Sequence, residues 1–131
     1  MTGKELRVPD YLGHMIEAID RIADYVSGMD RDAFGASNLV VDAVIRNIEI
    51  IGEASNKVLK HDPAFVAAHP NVPWKFSYRM RSIVAHDYFK VDLDIVWATI
   101  KSDLPAMRQD VQALLDGFIS QDKPSLPRSR M

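Results

Sequence analysis

Residues 37–60 read SNLVVDAVIRNIEIIGEASNKVLK. Leu39, Val40, Ala43, Val44, Ile48, Ile51, Val58 and Leu59 recur at three- and four-residue steps, with Ala54 beside them. That spacing lays one apolar face along an α-helix and rules out the two-residue alternation of a half-buried strand. Ser37 or Asn38 can cap the start, and Lys57 and Lys60 suit the negative end of the helix dipole. Gly52 costs about 1 kcal/mol relative to alanine inside a helix. Its presence there implies the close approach of another helix.

The same period continues outward on both sides. Before this stretch, Tyr11, Leu12, Met15, Ile16, Ile19, Ile22, Ala23 and Val26 mark a first helix. Asp10 after Pro9 can cap it, and Gly28 marks its end. Residues 28–36 (GMDRDAFGA) read as a polar connection with two glycines. After it, Asp62-Pro63 opens a short helix to about His69, with proline at the first helical position. Pro70 and Pro73 interrupt the chain. A third helix is predicted from about Trp74 to Ala85 or His86, with Phe76, Met80, Ile83 and Val84 inward. Asp92 caps a last long helix whose inward residues are Leu93, Val96, Trp97, Ile100, Leu104, Met107, Val111, Leu114 and Leu115. Pro105 should kink it, and Gly117 should end it. No alternating run or hairpin turn competes, and no internal repeat is present. The prediction is an all-α bundle of four main helices plus a short one. It fills one domain over residues 1–120, with a frayed tail over 121–131.

Composition agrees with a single soluble globular domain: 131 residues, 47% hydrophobic and 26% charged. A chain of this size buries a core without covalent staples. Cysteine is absent, which excludes disulfides and thiolate metal sites and fits a cytoplasmic location. The first twenty residues show no signal-peptide pattern, and no apolar run approaches a membrane span.

Charge is unevenly placed. The formal net charge is −2, but residues 74–90 carry Lys75, Arg79, Arg81 and Lys90 against Asp87 alone. A short basic segment on an acidic body can hold a few phosphates but not a long duplex track.

That segment contains Arg79-Met-Arg81-Ser82-Ile-Val-Ala-His86-Asp-Tyr88. Imidazole transfers protons near neutrality, and guanidinium binds phosphate in a fork and stabilises charge developing on it. Together they are the minimum for cleaving RNA without a metal. Helical geometry constrains the pairing. At about 100° per residue, Arg79, Ser82 and His86 share one flank. Arg81 stands about 140° around the axis from His86 and about 7.5 Å along it. In an unbroken helix the two cannot face one phosphate. Either the helix ends near His86, or two copies share one cleft across a two-fold axis.

The spacing Arg81, four residues, His86, one residue, Tyr88 resembles the signature of HepT-like toxins in the HEPN superfamily. Asp42 to Ala54, ending in Ile-Gly-Glu-Ala, is similar to the family's second-helix segment. Trp74 before the motif and Val91-Asp-Leu-Asp-Ile-Val-Trp97 after it match as well. The resemblance spans about residues 10–115. It implies a HEPN-type homodimer, with no cofactor, that cleaves RNA without metal. Arg81 and His86 would be the catalytic pair, and Arg79 and Ser82 auxiliary phosphate contacts. Ser82 departs from the family, which often has a polar amide there. The resemblance also implies a type VII-like toxin–antitoxin pair. Its antitoxin would be a minimal nucleotidyltransferase that transfers AMP from ATP to Tyr88. The alternative is a non-catalytic nucleotide-binding or regulatory subunit of such a nucleotidyltransferase.

The remaining polar residues are read structurally. Glu53 needs a partner if buried, and Arg46 lies two turns earlier on nearly the same face, which suggests an ion pair. His14, His61 and His69 lack metal-ligand spacing. Trp74 and Trp97 are expected in the core.

Overall fold

A computed structural model describes residues 6–76, 80 and 92–122, with residues 121 and 122 as backbone only. Helices account for the secondary structure of these residues, and no strand occurs among them. In chain order they are α1 (Val8–Tyr25), α2 (Arg31–Ala36), α3 (Asn38–His61), α4 (Pro63–Ala68), α5 (Leu93–Ala98) and α6 (Leu104–Asp122), with a π-helical turn over Thr99–Asp103 joining the last two.

The longest helix, α3, keeps the predicted limits to within a residue or two. Ser37 caps it, its hydroxyl accepting from the Val40 amide at 3.2 Å. Val44, Ile48, Ile51 and Val58 are buried on one face, and Gly52 is buried beside them. Leu39 is a correction: it continues the apolar period but is 81% exposed, because it falls on the flank with Asp42, Arg46 and Glu53. The suggested Arg46–Glu53 pair is corrected too. Glu53 is exposed, and Arg46 instead approaches Glu49 at 3.7 Å across one turn.

α1 packs against both α3 and α6. Its apolar face, Leu12, Met15, Ile16, Ala18, Ile19 and Ile22, is buried. Asp10 does not stand at the cap position, as the sequence suggested. It lies within the first turn, and its carboxylate accepts from the Arg7 amide at 2.8 Å. An acidic group there satisfies a free amide and complements the dipole. Gly28 takes φ +79°, a left-handed turn that suits glycine and leads out of α1.

The polar connection over residues 28–36 contains a helix. Asp30 accepts from the Ala33 amide at 2.8 Å and starts α2, which delivers Phe34 fully buried to the core. Phe34 lies 5.2 Å from Trp97, and Arg31 pairs with Asp94 at 2.6 Å, so α2 and α5 are held together. Asp62 starts α4 by accepting from the Phe65 amide at 3.0 Å, as its place before Pro63 suggested.

The last helix departs from expectation twice. Proline at 105 has no amide and its ring crowds the carbonyl four residues earlier. The chain answers with the widened turn over Thr99–Asp103, immediately before Leu104 and Pro105. Within it the Thr99 hydroxyl donates to the Ile95 carbonyl at 2.9 Å. Gly117 does not end the helix, which runs on to Asp122. Phe118 packs partly on the core and lies 5.5 Å from Phe65. No described helix is long and apolar enough to cross a membrane.

Candidate functional site

Arg79, Arg81, Ser82, His86 and Tyr88 lie outside the described residues, as does most of the third helix expected from Trp74 to His86. The described structure fixes the two ends between which they stand. At one end Trp74, Phe76 and Met80 are buried. The Trp74 indole donates to the His69 carbonyl at 2.9 Å, and its ring stands 6.0 Å from Phe65. At the other end Asp92 accepts from the Ile95 amide at 3.2 Å and starts α5.

These two ends are at opposite poles of the bundle. Phe65 touches Phe118 near the end of α6, and Tyr11 at the start of α1 stacks on His61 at the end of α3. Arg31 and Phe34 of α2 meet Asp94 and Trp97 of α5 at the far pole. The chain is described again from Asp92, a helix start that an ion pair and a ring contact tie to α2.

Polar groups in the described core are engaged locally. The Ser55 hydroxyl donates to the Gly52 carbonyl at 3.0 Å, and the Asn47 amide donates to the Ala43 carbonyl at 2.9 Å. Both bonds return to the helix's own preceding turn, where they remove a buried donor. The Asn47 side-chain oxygen is buried without a partner among the described residues. Among the described residues, no group of three or more His, Cys, Asp or Glu could hold a metal ion.

An ion pair that the sequence did not suggest links α1 to α6. Arg108 of α6 donates twice to Asp20 of α1, at 2.6 and 3.0 Å. The guanidinium hydrogen bond holds the Asp20 carboxyl below its ordinary value, against a smaller opposing effect of burial. The same bond raises Arg108. The pair rims a groove of about 330 Å³ whose floor includes Ile22, Val26, Ile100 and Leu104. Nothing in the separation of 88 residues could have signalled it.

Comparison with known proteins gives a consistent result. A family model described as "Ribonuclease HepT-like" matches residues 15–114. A protein of Thermococcus cleftensis named "Probable ribonuclease HepT" is 38% identical over 105 residues, covering 80% of this chain and 93% of the relative. A protein of Caldanaerobacter subterraneus named "Putative RNase TTE0752" is 32% identical over 105 residues, covering 80% of this chain and 91% of the relative. A Methanocaldococcus jannaschii protein named "Gamma-glutamylcyclotransferase and putative RNase MJ0434" is 37% identical over 107 residues. That match covers 81% of this chain and 46% of the longer relative, so the likeness is confined to about half of it. No solved structure matches the chain. With the all-helical bundle and the match over residues 15–114, the chain belongs to the HepT-like family of the HEPN superfamily.

Proposed function

We propose that this protein is a metal-independent endoribonuclease and the toxin of a two-gene toxin–antitoxin pair in the cytoplasm. The observation that carries the reading is the Arg81–His86–Tyr88 spacing inside a chain of the HepT-like family. RNA carries its own nucleophile. As the 2′-oxygen bonds to phosphorus, the bond from phosphorus to the 5′-oxygen breaks. The 2′-hydroxyl gives up a proton and the 5′-oxygen takes one. His86 serves proton transfer at one of these oxygens, and Arg81 holds the charge that builds on the phosphoryl oxygens. Arg79 and Ser82 contribute further phosphate contacts. A two-fold dimer resolves the helical constraint, because one protomer's Arg81 and its partner's His86 can then meet in one cleft.

Regulation follows from Tyr88, two residues past His86. A nucleotidyltransferase antitoxin would join the tyrosine oxygen to the α-phosphorus of ATP and release pyrophosphate. Each AMP adds bulk and a phosphodiester charge that repels RNA phosphate from the cleft. The experiment is to incubate the protein with the antitoxin and ATP and then measure RNA cleavage and intact mass. Wild type should gain AMP and lose cleavage. Tyr88→Phe should remain unmodified and active. Labelled AMP on Tyr88→Phe at the wild-type level would overturn the tyrosine assignment.

A further inference from the structure

Where α1 begins and α3 ends, three ring side chains meet at the surface. Tyr11 lies parallel to His61, with ring centres 5.6 Å apart and planes at 21°, and edge-on to His14 at 6.1 Å. Tyr11 is half-buried, while His14 and His61 are exposed. Lys57 stands four residues before His61 within α3 and shares its helix face, and Arg7 is the residue that precedes α1, four before Tyr11. Both are exposed, and no ion pair among the described residues occupies either. Of the nearby acids, Asp10 accepts from the Arg7 amide and Asp62 from the Phe65 amide, while Glu53, four residues before Lys57, is exposed. The Arg7 and Lys57 side chains face water.

Complementing the α3 dipole accounts for a cation near its end, but not for a stack of rings bridging two helices. Exposed rings interleaved with cations are the combination that binds single-stranded nucleic acid: bases stack on the rings and phosphates meet the cations. We propose that Tyr11, His14 and His61, with Arg7 and Lys57, form a second contact for single-stranded RNA, separate in sequence from residues 79–88. The proposal rests on the ribonuclease reading for its ligand class. A base placed on the exposed His61 ring continues the Tyr11–His61 stack, and the flanking phosphates fall to Lys57 and Arg7. Such contact is indifferent to sequence, since every base has a flat face. It would hold a strand to the protein beyond the scissile bond.

The test is fluorescence anisotropy with a labelled 2′-O-methyl single-stranded 20-mer, which binds without offering the 2′-hydroxyl needed for cleavage. His61→Ala should weaken binding about tenfold, the effect of losing one stacked base. Lys57→Glu, on an exposed face, should weaken it and reduce the salt dependence by about one phosphate contact. Wild-type affinity in both variants would overturn the proposal, as would no binding by wild type. A polyphosphate of equal charge that competes as well as the 20-mer would also overturn it, by removing the role of the rings. Weaker binding in both variants, with no RNA cleavage by wild type, would keep this surface and remove the nuclease reading. Cleavage by wild type with unchanged binding in both variants would remove this surface alone.

Discussion

The α1–α3 pair and the helix that runs from Leu93 to Asp122 are both long and amphipathic, yet they are held by different means. α1 and α3 bury apolar faces, Leu12 and Met15 on one helix and Val44, Ile48, Ile51 and Val58 on the other, with Asn47 and Ser55 buried among them and bonded back to their own helix. Between α1 and the last helix the contact is broken. A π turn shifts the register at Thr99–Asp103, a groove of about 330 Å³ opens, and a surface ion pair spans its rim. The first interface is close-packed, so lost volume is felt in full. The second borders an open groove, so its side chains can be trimmed at lower cost. The difference teaches that stability is concentrated in α1–α3, while the side bearing α5 and α6 tolerates irregular backbone.

The largest expected effect is at the sealed interface. Ile51→Ala should cost about 2–5 kcal/mol in urea unfolding, because Ile51 is fully buried and leaves a closed cavity. Ile100→Ala should cost less, because Ile100 lines the groove and its removal enlarges a space already open to water. Equal costs for the two would break the comparison.

A smaller effect is expected at the ion pair. Asp20 and Arg108 are half-exposed, so Asp20→Asn should lower stability by about 0.2–1 kcal/mol at neutral pH. Because the folded carboxyl lies below its ordinary value of 3.8, the contribution is present above that pH. It fades as pH falls through the folded value. Thermal unfolding of wild type and Asp20→Asn should therefore converge in acid. A difference that persists unchanged there would assign the effect to packing.

The smallest effect is at Leu39. Leu39→Gln should leave stability within about 0.5 kcal/mol of wild type, since the side chain is 81% exposed. A loss comparable to that of Ile100→Ala would mean that this residue is covered in solution.

The elements that could be read from sequence are those whose period runs longest. α3 repeats its apolar steps over 24 residues and carries its own Ser37 cap, so its limits were legible. α2 was not, because six residues with one apolar anchor, Phe34, carry no period. Gly117 was misread as a stop because a glycine costs only about 1 kcal/mol in a helix. Continuing the helix lets Phe118 reach Phe65. The π turn left no trace in the pattern, since Ile100, Leu104, Met107 and Val111 keep helical spacing across it. At Leu39 the steps of three and four drift round the helix, so the residue falls on the polar flank with Asp42, Arg46 and Glu53.

The candidate site lies outside the described residues and rests on sequence alone. Arg81 and His86 announce phosphate and proton chemistry by their side chains, but residue types alone do not select a reaction. The spacing to Tyr88 and the likeness over residues 15–114 selected the family. The Tyr11–His61 stack was invisible in sequence, because the two rings are 50 residues apart and meet only when α1 and α3 pack.

The most direct test of the central claim is RNA cleavage by the purified, unmodified protein in EDTA, with Arg81→Ala and His86→Ala alongside and circular dichroism confirming their fold. Wild type should cleave, and both folded variants should not. No cleavage by wild type with a bare Tyr88, confirmed by intact mass, would contradict that claim and favour a non-catalytic partner subunit.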